Sequence, residues 1–186
     1  MGNYLVGIDA GTTGCKTCVF DFDGALIGSD YREYPCYYPK PGYVEQKSED
    51  MLPALFDCCK QAIKNSGVDK NDIIAMGLSS QGSTIGLVGE DDKLLRDFVI
   101  WQDLRATQKE VDEISLSISP DEYYAITGAQ SGNVIFSLPK LVWLKNHEPK
   151  NWAKTKIFST HQDYFLKQFG ADGYYTDLSS ASREAT

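Results

Sequence analysis

Long apolar runs are missing from this sequence, and nothing in it approaches the roughly 18 consecutive apolar residues that a membrane-spanning helix needs. Positive charge is in deficit: 18 Lys and Arg stand against 26 Asp and Glu, a formal net charge of −8. So acidic a chain is a poor binder of nucleic acid or anionic membrane through bulk charge. Backbone N–H groups can still hold a phosphate locally. Histidine is scarce, with 2 in 186 residues. Neither His147 nor His161 has a sequence neighbour that makes it a general base, and both read as surface or capping residues. The Walker and Rossmann glycine patterns are both absent. The 5 cysteines are an odd number, and no basic segment precedes the short apolar stretch near the N-terminus. Reduced thiols in a cytoplasmic protein are the expectation, not a disulfide frame. What is present is ordinary for a globular chain, 42% apolar and 24% charged, in a length that suits one domain with a real core.

The first third reads as strands punctuated by turns. Tyr4–Ile8 is an apolar run, Cys15–Phe20 a second strand, and residues 25–34 a third beyond the Asp23-Gly24 turn. Such tight connections predict an antiparallel meander. Residues 35–43 carry three prolines and read as loop. Ser48 suits a helix N-cap, with Glu49 and Asp50 in the first turn. Met51, Leu55, Cys58, Cys59 and Ala62 then recur at helical spacing until Gly67. Ile73–Leu78 reads as a buried strand able to pair in parallel with the first. A hairpin at Glu90–Asp92 separates Ile85–Val88 from Leu94–Trp101. Leu104, Val111, Ile114 and Ile118 fit one helix face, and Ser137 suits the cap of a helix bearing Leu138, Leu141, Val142 and Trp143. A short strand at 156–158 and a helix over about 160–169 complete an α/β pattern: a mixed β-sheet with helices on its faces.

The most informative residues are Asp9-Ala10-Gly11-Thr12-Thr13, at the end of an apolar strand. Gly11 and Gly14 let the chain turn tightly enough to converge backbone donors on a phosphate, and the threonine hydroxyls add uncharged donors. Asp9 is a candidate for Mg²⁺, which prefers hard oxygen ligands, and Lys16 offers a point charge. A plain β-hairpin, with Asp9 satisfying turn N–H groups, would use the same residues; the loop alone leaves both readings open. Cys15-x-x-Cys18 has a redox or metal spacing, but residues three apart on a strand face opposite ways, and no second pair completes a zinc set. The tyrosines within residues 31–43 suit a packed loop surface or a homodimer contact. Glu90–Asp92 reads as a solvated hairpin tip.

Asp9-x-Gly11-Thr12-Thr13 between strands resembles the first phosphate motif of the actin/hexokinase-like (ribonuclease H-like) ATPase fold. Tyr38–Gln46, Gly77–Gln81, Val99–Asp103 with Arg105, and Asp177–Ser182 follow in the order seen in FGGY carbohydrate kinases. The segments run from residue 4 to 182, and the chain is identified on them as similar to that family's N-terminal domain over residues 1–186. The resemblance implies transfer of the γ-phosphoryl of ATP, with Mg²⁺, to a hydroxyl of a sugar or polyol. It places Asp9 at the metal and Gly11, Thr12, Thr13 and Lys16 at the phosphates. It places Gln81, Gly82, Ser83, Trp101, Asp103 and Arg105 at the sugar.

Physically, Trp101 offers an apolar wall to a sugar's C–H face, while Asp103 and Arg105 accept from and donate to hydroxyls. Trp101 as plain core, and Asp103 with Arg105 as a surface pair of little worth, remain the bland alternatives. Glycerol kinases carry Arg-Glu where this chain has Gly82-Ser83, which favours a pentulose-like sugar over glycerol; xylulose kinases typically carry Met-His there, which also fails to match. The family's catalytic aspartate lies downstream of Asp177–Ser182, and its adenine-binding part belongs to a second domain. The expectation is therefore most of a first domain, inactive alone. A non-catalytic ATP-binding or sensor module of the same superfold is the rival account, against which Gln81–Ser83 and Trp101-x-Asp103 speak.

Overall fold

A computed structural model describes residues 4–128 and 130–184. The chain forms two compact units: residues up to Cys36 with Lys47–Gln81, and Tyr37–Gln46 with the residues from Gly82 onward.

In the first unit the expected meander is present. β1 (Tyr4–Ala10), β2 (Gly14–Asp21) and β3 (Leu26–Glu33) pair antiparallel in sequence order. Alternation sorts their side chains: Val6, Ile8, Ala10, Cys15, Thr17 and Val19 are buried, while Asp9 and Lys16 are exposed. Over β2 and β3 packs α1 (Ser48–Ser66). Its Met51, Leu55, Cys58 and Ala62 are fully buried at the i, i+4, i+7, i+11 positions of one face. The helix begins one residue earlier than its sequence suggests. Lys47 takes the cap position without a side-chain cap, and Gly67 ends the helix with φ 68°.

Beyond β4 (Glu45–Gln46), which belongs to the other unit, β5 (Ile73–Ser80) pairs parallel with β1 and closes the order β3-β2-β1-β5. The expectation of a buried strand fails here. β5 is the sheet edge, with Ile74 57% and Met76 48% exposed, because α1 covers β2 and β3 instead. An apolar run alone cannot tell a central strand from an edge. The two cysteines of the Cys15-x-x-Cys18 spacing do diverge. Cys15 is buried beside Cys58, and burial first, then that neighbour, pushes its thiol up to about 12; Cys18 is half-exposed. Cys15 is thus an inert thiol at neutral pH.

The second unit is built on short strands. β4 pairs with β7 (Phe98–Val99), and β6 (Gly86–Val88) pairs with β8 (Ile157–Ser159), both antiparallel. Ile85, Leu87, Val99, Leu141 and Leu144 form its core, with Leu95, Trp143 and Trp152 packed on them. The helix expected from Leu104 to Ile118 is only α2 (Gln108–Ser115), because Thr107 and Glu110 make a capping box that starts it late. Leu104 lies outside it and is exposed. Then come α3 (Pro120–Thr127), α4 (Ser137–His147), α5 (Pro149–Lys154), α6 (His161–Gln168) and α7 (Leu178–Glu184). The expected caps shift by one residue at α4, where Phe136 holds the cap position. At α6 Thr160 accepts from the Asp163 N–H.

His161 is not a surface residue: it is fully buried, with its ring 4.3 Å from that of Phe98 and edge-on to it. Burial holds its pKa down at about 3, so the ring is neutral. His147 is exposed in the last turn of α4 and stacks on Trp143. Among the described residues no helix is long and apolar enough to cross a membrane.

Candidate functional site

The β1–β2 turn in the first unit is made by the backbone. Gly11 N–H donates to Gly14 O at 3.0 Å, closing the loop over Thr12 and Thr13. An added Cβ at Gly11 would lie 3.4 Å from that carbonyl and 3.9 Å from Asp9 Oδ2, and one at Gly14 would lie only 2.3 Å from Arg32 O. Glycine is therefore required at 14 by the close approach of β3, and at 11 it keeps the concave side free of a side chain. Tyr34, 6% exposed, donates its phenol to Gly11 O at 2.7 Å. Burial, then Cys15 and Asp9 nearby, raises the phenol's pKa, so it stays a donor. Thr12 Oγ1 donates to Gln81 Oε1 at 3.0 Å, and Gln81 N–H donates to Ala10 O at 3.0 Å. Gln81, grouped with the sugar set from sequence, is thus bonded to the glycine turn.

Asp9 and Lys16 are cross-strand partners in register. Both line an open depression of about 440 Å³ with Phe20, Gly77 and Ser79. Gly7 and Gly77 are also paired in register, so no side chain fills its floor. The arrangement offers an exposed carboxylate and an exposed ammonium one strand apart, at the foot of the glycine turn. Among the described residues no group of three or more His, Cys, Asp or Glu side chains is placed to hold a metal. A lone carboxylate still fits Mg²⁺, which keeps several waters and takes further ligands from phosphate oxygens. The contributions of Tyr34 and of Tyr31, whose phenol lies 3.4 Å from Thr13 Oγ1, are not legible as a motif; their only sequence signal is the density of tyrosine over residues 31–43.

The second unit holds Gly82, Ser83, Trp101, Asp103 and Arg105. Ser83 has φ 53°, a left-handed conformation uncommon for serine. Trp101 is 40% exposed, so it is not plain core. Asp103 and Arg105 are not a surface pair: they are 0% and 4% exposed. Asp103 Oδ1 accepts from Arg105 Nε at 2.8 Å and from Arg105 N–H at 2.9 Å, while Oδ2 accepts from Val44 N–H at 2.6 Å and Arg105 Nη2 at 2.9 Å.

Arg105 also bonds Glu45 at 2.6 Å and lies over the rings of Tyr43 and Trp143, at 4.4 and 5.2 Å. Glu45 is shared with Arg96, which continues to Glu148 at 3.2 Å. Burial opposes the Arg105 charge, but hydrogen bonds and charge from Asp103 and Glu45 outweigh it and raise the pKa. Nothing in the spacing of Asp103 and Arg105 announces partners sixty residues upstream.

Residues 4–186 match the family profile described as the FGGY family of carbohydrate kinases, N-terminal domain. The chain is 32% identical over 190 residues to a glycerol kinase from Thermococcus gammatolerans, an alignment covering 98% of this chain and 37% of that protein. It is 30% identical over 168 residues to a xylulose kinase from Bacillus subtilis, covering 87% and 32%. Its structure superposes on that of a xyloylose kinase from Brucella ovis with TM-score 0.88 at 26% identity, covering 98% and 37%. The chain spans about a third of the length of the curated relatives it matches.

Proposed function

Because the chain belongs to the FGGY family of carbohydrate kinases, we propose that it forms part of an ATP-dependent kinase acting on a sugar hydroxyl, with a pentulose-like sugar ahead of glycerol. The observation that carries this is the in-register pair Asp9 and Lys16 at the foot of a glycine turn. Phosphoryl transfer asks a protein chiefly for positioning and charge neutralisation. Backbone N–H groups of the turn and the Thr13 hydroxyl face the phosphates, and Lys16 neutralises charge there, while the Thr12 hydroxyl is held by Gln81. Asp9 holds Mg²⁺, which when bound with ATP offsets the negative charge of the phosphate oxygens. Tyr34 and Gln81 hold the turn in shape from behind.

For the sugar, Trp101 supplies a flat apolar wall, and Gly82 and Ser83 supply small side chains that leave room for a chain longer than glycerol. Asp103 and Arg105 belong to the framework of that loop, since the oxygens of Asp103 are taken by Arg105 and Val44. The 186 residues alone do not complete transfer in this reading, as the base and the adenine site come from outside them.

The test is a phosphorylation assay on a protein of the relatives' length that includes these residues, with D-xylulose, D-ribulose and glycerol as acceptors. A ketose is expected to be turned over faster than glycerol. Asp9→Ala is expected to lower kcat about a thousandfold, and Trp101→Ala to raise the sugar KM about tenfold while the ATP KM stays within twofold. Saturable ATP binding with no acceptor-dependent turnover would replace the kinase reading with a sensor module.

A further inference from the structure

We propose that Lys140 is a positioning residue for the sugar-facing loops, its buried amino group fixing the backbone on either side of the point where Ser83 and Trp101 diverge. This rests on the assignment of Gly82, Ser83 and Trp101 to the sugar. Lys140 lies on α4, is 0% exposed, and is among the largest fully buried side chains. Its Nζ donates to Ile100 O at 2.8 Å and to Ser83 O at 3.2 Å. An apolar side chain would fill the same volume without burying a polar group. A lysine here makes sense through the carbonyls it reaches.

Those carbonyls sit where the regular pairing stops. Ile85 and Val99 exchange both of their backbone hydrogen bonds, each at 2.9 Å. Moving outward, Ser83 turns into the left-handed region, so the ladder cannot continue. Lys140 brings one amino group to the carbonyls on both sides of that break. Ile100 O also accepts from Asp103 N–H at 3.0 Å, closing the turn that carries Trp101. The Lys140 amino group thus joins the base of the Trp101 turn to the left-handed residue after Gly82. A non-glycine residue at positive φ persists only where its surroundings over-determine it.

The experiment compares the 186-residue chain with its Lys140→Met and Lys140→Arg variants by amide hydrogen exchange, urea unfolding and NMR titration with D-xylulose read at the Trp101 indole N–H. Lys140→Met is expected to speed exchange at residues 83–84 and 101–103 about tenfold beyond any change at Leu87 and Val88. It is also expected to weaken D-xylulose binding about tenfold, with Lys140→Arg recovering most of both. Uniform loss of protection across the unit, or locally faster exchange with unchanged affinity, overturns the proposal. Should Lys140→Met not fold, Lys140→Gln, which keeps an amide donor, is judged by the same criteria. If the wild-type chain shows no D-xylulose shift at Trp101, the sugar assignment fails. Lys140 is then decided by exchange alone: localised loosening retains it as the anchor of these loops, and uniform loosening removes it.

Discussion

The glycine turn of the first unit and the Trp101 loop of the second are held by opposite means. The turn from Asp9 to Lys16 is defined by main-chain hydrogen bonds, by glycines that admit a close approach and by uncharged side-chain bonds from Tyr34 and between Thr12 and Gln81, and its charges stand in solvent. The Trp101 loop is defined by side chains: Asp103, Arg105, Glu45 and Arg96 form an interior ion network under Tyr43 and Trp143. In the first, charge is available for chemistry and contributes little to folding. In the second, charge is consumed by architecture, and the loop's outward-facing residues, Trp101, Gln102 and Leu104, carry none.

That contrast is broken most directly at Asp103. Asp103→Ala leaves the Arg105 guanidinium buried beside Glu45 alone, and a loss of about 3–5 kcal/mol in unfolding free energy is expected from urea titration. A cost below about 1 kcal/mol would mean the network is solvated after all. In the glycine turn the backbone is the sensitive part. Gly14→Ala, whose Cβ would meet Arg32 O and the Tyr31 phenol, is expected to cost about 1–3 kcal/mol in the same measurement.

Two groups on α6 contribute opposing pH dependences to the second unit. Burial lowers His161 to about 3 and raises Asp163 to about 6. Between about pH 4 and 6, unfolded His161 binds a proton that the folded ring refuses, which lowers stability as pH falls. Over the same window folded Asp163 keeps a proton that the unfolded carboxyl releases, which raises stability as pH falls. The two cancel, and the wild-type contribution is flat. Asp163→Asn exposes the His161 slope and His161→Phe the Asp163 slope. Each is at most about 1.4 kcal/mol per pH unit, with opposite signs, in thermal or urea unfolding at pH 4.5 and 5.5. Slopes of the same sign would refute the pairing. The smallest expected effect is at the exposed charges: Asp9→Asn and Lys16→Met should each shift stability by less than about 0.5 kcal/mol. A larger shift at either would erase the distinction between the two loops.

The same contrast explains what could be read before the structure. The meander, the end of α1 at Gly67 and the glycine turn are written in residues close together in sequence, where periodicity and turn chemistry act, and the parallel partner of β1, though distant in the chain, is marked by its own apolar run. Glu45 and Arg96 beneath Arg105, and Tyr34 behind Gly11, are brought in by tertiary packing, and no local pattern marks them. His161 misled for a related reason: a histidine at a helix start reads as polar, and only its aromatic neighbours Phe98 and Phe165 make it core. Likewise the exposure of β5 depends on what lies beside it, which its own residues do not encode.

The edge position of β5 has a practical consequence at the bench. Its eight residues, IIAMGLSS, contain no Lys, Glu or Pro, and none of the usual charges or breaks guards the open row of backbone donors and acceptors. With Ile74 and Met76 facing solvent beside that row, the chain carries a ready seam for intermolecular sheet growth. Aggregation in concentrated solution is expected to begin at this strand, and a single gatekeeper charge such as Met76→Lys is expected to slow it, as read by light scattering.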